Sequence, residues 1–335
     1  MFLKDFWYVA AEPRELANGP LARMILGEAV VLYRGEDGKP AALEDRCCHR
    51  RMPLSQGRVT GNDLECAYHG LAFAPDGKCV RIPNQDRIPP GAQVRSFPCV
   101  ERWGWVWIWP GDPARADVAR MPDFSQHGSE GWTAVGGYLP VGANHQLLVD
   151  NLLDLSHVGF VHRGSIGTDD AHAKLKVERG PDWVRVTRNA GPMPAPPLYA
   201  AQGLKDPVNQ SKIMRFAPGA NIWIDIDTFE AREGGRSIFF TILNSITPAT
   251  ETSCHYFFAN ARNFAHDDAK LSALLHRGTH EAFGEDKLVL EQQQRIIDLD
   301  PGAPQIDIDA DAGGLQARRI VDRLLAEAES VQAAE

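Results

Sequence analysis

At 335 residues, 44% of them hydrophobic, the chain has length and apolar material for two domains, each with its own core. A formal net charge of −9 with no concentrated basic stretch excludes nucleic acid as a partner. The N-terminus "MFLKDFWYVAAEPREL" lacks a basic segment followed by a long apolar one, and no later run approaches a membrane span, so the sequence points to a soluble, cytoplasmic protein.

The first third reads as β-rich. "AVVLYRGEDGKPAALED" is strand, Gly- and Pro-containing turn, strand. "RSFPCVERWGWVWIWPG" alternates residue types at period two, as a half-buried strand does, and "PGDPARAD" breaks the pattern. These signals place a domain boundary near residue 112, giving domains of residues 1–112 and 113–335. The second domain reads as α+β. "NHQLLVDNLLDLSHVGFVH" is expected to be helical, alternating segments such as "IWIDIDTFE" and "SIFFTILNSITP" predict an antiparallel sheet through roughly residues 180–260, and helices return in "DDAKLSALLHRGTHEAFGEDKLVLEQQQRIIDL" and "LQARRIVDRLLAEAE".

Six cysteines are few for a disulfide scaffold of this length. Three of them, Cys47, Cys48 and Cys66, stand near His49 and His69 in "CCHRRMPLSQGRVTGNDLECAYHG"; Cys79, Cys99 and Cys254 read as ordinary buried thiols. The spacing is C-x-H, sixteen residues, then C-x2-H. Two thiolates and two imidazoles on two short loops fit one tetrahedral zinc, or a Rieske two-iron, two-sulfur cluster in which one iron takes both cysteines and the other both histidines. In the second domain "DNLLDLSHVGFVH" is D-x3-D-x2-H-x4-H. On a helix Asp154 and His157 would be neighbours, whereas His157 and His162 are five apart, roughly 140° around the axis. Both histidines reach one ion only if the helix ends or distorts between them, with Gly159 as the candidate break. Two histidines and one carboxylate on one side of an iron would leave the opposite positions open, the facial triad of non-haem Fe(II) oxygenases. Spacing alone does not choose the carboxylate among 44 acidic residues.

These motifs resemble those of the Rieske aromatic-ring oxygenases. C-x-H … C-x2-H with "YHG" closing the second loop and "RRMPLSQG" following the first resembles their Rieske domain; in that pattern the ligand cysteine stands two before the histidine, so the resemblance implies Cys47, His49, Cys66 and His69 as ligands and puts Cys48 where the family usually has proline. "FGEDKLVLEQQQR" and "DAGGLQARRIVDRLLAEAE" resemble the vanillate O-demethylase oxygenase subgroup, so the likeness spans nearly the whole chain. The resemblance implies an N-terminal all-β Rieske domain with a [2Fe-2S] cluster, and a C-terminal α+β domain, an antiparallel sheet flanked by helices, holding mononuclear Fe(II). It implies that His157, His162 and Asp286 bind that iron and that Asp154 bridges to a Rieske histidine of the next subunit in a head-to-tail homotrimer. Asp150 and Asn151 could support the iron from behind its ligands; His145 and His255 read as structural.

No nicotinamide or flavin fingerprint such as G-x-G-x-x-G appears, so electrons are expected from a separate NAD(P)H-dependent reductase. The implied activity is that of a terminal monooxygenase that uses O2 to O-demethylate a methoxylated aromatic acid such as vanillate. The alternatives are ring or methyl hydroxylation of another aromatic acid, sulfonated or chlorinated, a Rieske electron carrier, or a zinc-stabilised binding protein. For the substrate pocket the expectation is Asn244 as a hydrogen-bonding amide, Ile224 and Trp223 as apolar walls, and Arg215 as a carboxylate counter-charge.

Overall fold

The structure, a computed structural model, describes residues 1–163 and 173–332. It divides into two compact units, Phe2–Pro122 with Thr247–Glu251, and Asp123–Ile246 with Thr252–Glu335. The first therefore runs past residue 112, because indoles tie the following segment down: Trp7 Nε1 donates to Asp117 O and Trp109 Nε1 to Asp112 O, each at 2.9 Å.

The first unit is all β. Tyr8–Ala11, Trp105–Ile108 and Cys99–Arg102 form one sheet; Leu21–Ile25, Glu28–Arg34, Pro40–Glu44 and Ser96–Phe97 form a second; Arg58–Thr60, Asp63–Glu65, Ala72–Phe73 and Cys79–Arg81 form a third, smaller one. The expected hairpin of Glu28–Arg34 and Pro40–Glu44 is present, with Arg34 opposite Pro40. The tryptophan stretch is not one half-buried strand. Trp103 and Gly104, both at positive φ, fold it into a hairpin, and Trp105–Ile108 is buried on both sides. Val106 and Ile108 pack with Tyr8, Leu32 and Phe97, while the indoles of Trp105 and Trp107 meet edge to face on the other side.

The second unit is a seven-stranded antiparallel sheet with helices. Its order is Thr133–Val141, Ser253–Arg262, Ser237–Thr250, Asn221–Glu230, Val208–Ala217, Val184–Met193, Lys174–Arg179. The helices are α1 (His145–Leu153), α2 (Val158–Val161), α3 (Pro197–Ala201), α4 (Ala269–Leu299) and α5 (Ala312–Gln332). Strand alternation assigns the faces. Met214, Phe216, Ile222, Ile224, Ile246, Tyr256 and Phe258 pack with Leu148, Leu152 and Leu153 of α1, Phe283 and Leu290 of α4, and Ala317 and Ile320 of α5. The odd-numbered neighbours Arg215, Trp223 and Asp225 stand on the opposite face. Among the described residues no helix is long and apolar enough to cross a membrane.

The expected single helix over the two histidines is broken at Asp154, not at Gly159. Asn144 caps the start of α1, its side chain accepting from Gln146 N–H. Asp154 closes that helix in an extended conformation (φ −118°, ψ 101°) and caps the next turn, its carboxylate accepting from Ser156 N–H and Oγ–H at 2.8 Å each. The side chain thus competes with the helix for backbone donors and wins. The chain restarts as a 3-10 turn, Leu155–His157, that runs into α2 and ends at His162.

Asn244 lies wholly inside this core, its Nδ2 donating to Ile222 O and Ile242 O and its Oδ1 accepting from Tyr256 Oη–H at 2.7 Å. Tyr256→Phe is expected to cost about 1–3 kcal/mol by stranding that oxygen. Tyr256→Phe combined with Asn244→Leu should cost less than the two single changes added together. Denaturant midpoints at constant m-value measure both.

Candidate metal centres

In the first unit, residues 47–52 and 66–71 are two copies of one loop. Cys47 N–H donates to Met52 O and Arg51 N–H to Cys47 O; Cys66 N–H donates to Leu71 O and Gly70 N–H to Cys66 O, at 2.8 to 3.0 Å. Each loop needs a left-handed residue four after its cysteine, Arg51 at φ 59° and Gly70 at φ 71°. Cys47 and Cys66 are buried together among Leu43, Leu54, Leu64, Leu71 and Phe73. The His49 and His69 rings lie 4.6 Å apart, centroid to centroid, and both residues are exposed. The site is two-ended, with sulfur inside and nitrogen at the surface. Burial pushes the Cys47 thiol up to about 11, and the adjacent Cys66 thiol adds to it. A thiol held that high becomes a ligand only when a metal replaces its proton. The donor set fits a cluster whose sulfur-bound iron sits inward and whose imidazole-bound iron reaches the surface. Cys48 is exposed beside this site.

In the second unit, His157, His162 and Asp286 converge, each offering a ligand atom within 4.8 Å of the others. Asp286 Oδ1 lies 3.4 Å from His157 Nε2 and 3.3 Å from His162 Nε2. Three donors bonded at about 2.1 Å to one ion, at right angles, stand about 3 Å apart, so the set fits a single divalent cation. The other ring nitrogens are taken. His157 Nδ1 faces Asp154 O and His162 Nδ1 faces Glu285 Oε2, both at 2.7 Å, which turns both Nε2 atoms towards Asp286. His162 and Asp286 are only 2% and 3% exposed. Burial on its own would raise the Asp286 carboxyl, but the two imidazoles outweigh it and bring it down to about 2. Burial likewise would lower His162, and Asp286 and Glu285 outweigh it, holding the imidazole above its usual range.

Asn151 Nδ2 donates to Asp286 Oδ1 at 3.1 Å, so it backs the carboxylate directly. Asp150 does not; it pairs with Arg318 and accepts from Gln146. His255 is structural, its Nδ1 2.9 Å from Tyr138 Oη. Glu285 is not among the residues expected from the sequence; its place beside Asp286 on a helix is the signal that marks it. The expected pocket residues fare differently. Trp223 is buried with Nε1 donating to Asp123 O, and Arg215 pairs with Asp225 at 2.8 Å, both on the sheet face away from the histidines. Ile224 is on the histidine side but sealed in the core, and the amide of Asn244 is spent. On that same face Ile226 and Ile242 stay partly exposed, between the core under α1, α4 and α5 and a second cluster around Tyr199, Leu204 and Phe240.

Residues 6–98 match the Rieske [2Fe-2S] domain model, and residues 141–327 match the model of the vanillate O-demethylase oxygenase C-terminal domain. A putative toluene-4-sulfonate monooxygenase iron-sulfur subunit of Comamonas testosteroni is 40% identical over 97% of each chain. A vanillate O-demethylase oxygenase subunit of a Pseudomonas species is 38% identical, covering 100% of this chain and 98% of its own. The crystal structure of dicamba monooxygenase with non-haem iron and dicamba superposes with a TM-score of 0.85 at 35% identity, covering 99% of both chains.

The paired loops carry an asymmetric expectation. Arg51→Gly should keep or raise stability, since the left-handed conformation costs a non-glycine residue about 1–2 kcal/mol. Gly70→Val should lose cluster, because a Cβ there would also meet Pro83 Cγ at 2.9 Å. Visible absorbance per chain after purification measures both.

Proposed function

Since this chain belongs to the Rieske non-haem iron oxygenases, with the C-terminal domain of the vanillate O-demethylase oxygenase subunits, we propose that it O-demethylates a methoxylated aromatic acid such as vanillate. The net reaction takes ArOCH3, O2, two electrons and two protons to ArOH, formaldehyde and water. The chain is a Rieske monooxygenase with a [2Fe-2S] domain and a non-haem iron domain. Relatives are named as oxygenase components or subunits, so electrons reach it from a separate reductase. NADH is the proposed source.

The observation that carries the reading is the convergence of His157, His162 and Asp286, with Cys47, His49, Cys66 and His69 as the proposed cluster ligands. The iron, when bound, supplies O2 activation, and three protein ligands leave it open positions for that. The chain's residues do the rest. Asp154 O and Glu285 fix the two rings, Asn151 holds the Asp286 carboxylate, and Leu155, Val158 and Phe283 form an apolar surround that keeps water from the reacting carbon. Ile226 and Ile242, partly exposed where the two apolar clusters meet, are the proposed floor for the aromatic ring, in place of Ile224 and Trp223.

A head-to-tail homotrimer, in which His69 of one copy meets Asp154 of the next, is the proposed electron route. It is supported by the exposed His69 edge, by Tyr68 beside it at 62% exposure, by Phe160 on α2 at 69%, and by the hydrogen bond that joins Asp154 to His157. Asp154→Asn should retain both metals and the trimer yet nearly abolish turnover. A variant keeping half or more of the wild-type rate removes Asp154 from the route.

The 39% identity to a toluene-4-sulfonate monooxygenase iron-sulfur subunit favours a second reading, oxidation of a sulfonated methylarene. One experiment separates the two: reductase, NADH and O2 with a panel of methoxybenzoates and toluenesulfonate. Stoichiometric formaldehyde from a methoxybenzoate is the expected result. NADH oxidation without formaldehyde on every methoxybenzoate, with a benzylic alcohol formed from toluenesulfonate, replaces demethylation by the second reading.

A further inference from the structure

The two triad histidines have unlike outer partners. His157 Nδ1 faces a neutral main-chain oxygen, that of Asp154, whereas His162 Nδ1 faces a carboxylate, that of Glu285, at the same 2.7 Å. Glu285 and Asp286 are consecutive on α4, and between them they take both nitrogens of one ring: Glu285 the Nδ1, Asp286 the Nε2 at 3.3 Å. His162 is buried, and the Glu285 carboxylate is 29% exposed, so its own charge stays partly hydrated. One helix thus presents a ligand and the carboxylate that supports a second ligand in the same turn.

Resting on the reading that the triad holds Fe(II), we propose that Glu285 is a positioning residue that makes His162 the stronger of the two imidazole donors and sets the metal affinity of the site. The physical chemistry has two parts. A carboxylate accepting from Nδ1–H orients the ring and fixes the tautomer that leaves Nε2 unprotonated, as the Asp154 carbonyl also does for His157. Being charged, it does more than a carbonyl. It draws the Nδ1 proton towards itself and makes Nε2 more basic. A divalent ion on Asp286 and two neutral imidazoles would leave one uncompensated positive charge in a nearly buried place; Glu285 supplies the missing negative charge one ring away. His157, by contrast, keeps a neutral partner whose residue, Asp154, also serves the proposed electron route.

The test separates charge from orientation. Glu285→Gln keeps an acceptor oxygen of the same reach without the charge; Glu285→Ala removes both. Fe(II) affinity of the mononuclear site, measured by chelator competition in protein whose Rieske spectrum and thermal unfolding match wild type, should fall at least 10-fold in Glu285→Gln. It should fall further, towards 100-fold, in Glu285→Ala. The EPR signal of the Fe(II)–nitric oxide adduct should keep its rhombicity in the first variant and lose it in the second. Fe(II) affinity within twofold of wild type in both variants overturns the inference. Asp286→Ala is the control: loss of iron there while the Glu285 variants bind normally defeats only this inference. Normal iron binding in Asp286→Ala defeats the triad reading and this inference with it.

Discussion

The catalytic unit is organised around a carboxylate that ought not to be where it is. Asp286 is buried on α4, in a layer shared with Phe283, Leu290 and Tyr256. An ionised carboxylate there would cost several kcal/mol if it stood alone. It is tolerated because Asn151 Nδ2 donates to it and the two Nε2 atoms stand 3.3 and 3.4 Å away, where one cation would join all three. That demand shapes the local fold. A helix continued from α1 would carry His157 and His162 to different sides of its axis, and only one would meet Asp286. The chain stops at Leu153, turns through Asp154 and restarts; His157 then closes a 3-10 turn and His162 stands at the end of the short α2, so the two rings are not held at the spacing of one regular helix and both arrive. The break comes from a short polar side chain capturing the next turn's backbone, with Ser156 completing the capture.

The Rieske unit answers a similar demand with loops in place of helices. Two thiols are buried side by side in an apolar cluster, and burial pushes that of Cys47 up, so that it does not ionise readily without a metal. The repeated hydrogen-bond pattern holds each cysteine sulfur inward and leaves the histidine of the same loop outside. Gly70 meets the left-handed requirement at no steric cost, and Arg51 meets it under strain, so one geometry is reached from two different sequences.

How far the sequence disclosed this depends on whether the signal is local. The four proposed cluster ligands, Cys47 to His69, fall within 23 positions and belong to rare residue types, so spacing displays them. His157 and His162 are local too. Asp286 is not: more than a hundred residues separate it from His162, and among 44 acids only the family likeness pointed to it. The helix break was half legible. The five-residue spacing implies a change between the histidines, met by the 3-10 to α transition at His157 and the helix end at His162, whereas the break at Asp154, an N-cap pattern completed by Ser156, is not expected from the apolar periodicity. The expected pocket residues lie elsewhere for a different reason. Arg215 and Trp223 are odd-numbered residues on strands whose even-numbered residues face the helices, as the alternation of "VNQSKIMRFA" already implies. Asn244 has the right parity but spends its amide within the sheet, which no single-strand pattern reveals.

The contrast in exposure between the two centres follows from their proposed tasks. An electron crosses a gap without bond formation, so a donor needs only an edge at the surface, and His49 and His69 present one. Oxygen insertion must keep stray water and protons from the reacting centre, so its ligands belong inside, and His162 and Asp286 are almost wholly covered. Each environment would disable the other centre: a cluster sunk in an apolar core would lose its partner, and an exposed triad would spend electrons on solvent. Placing the two centres in separately packed units removes the conflict. The proposed electron route then has to join an exposed histidine, His69, to a half-buried one, His157. Asp154 has the properties for that, since its main-chain oxygen holds His157 while its carboxylate, capped by Ser156, remains only partly buried.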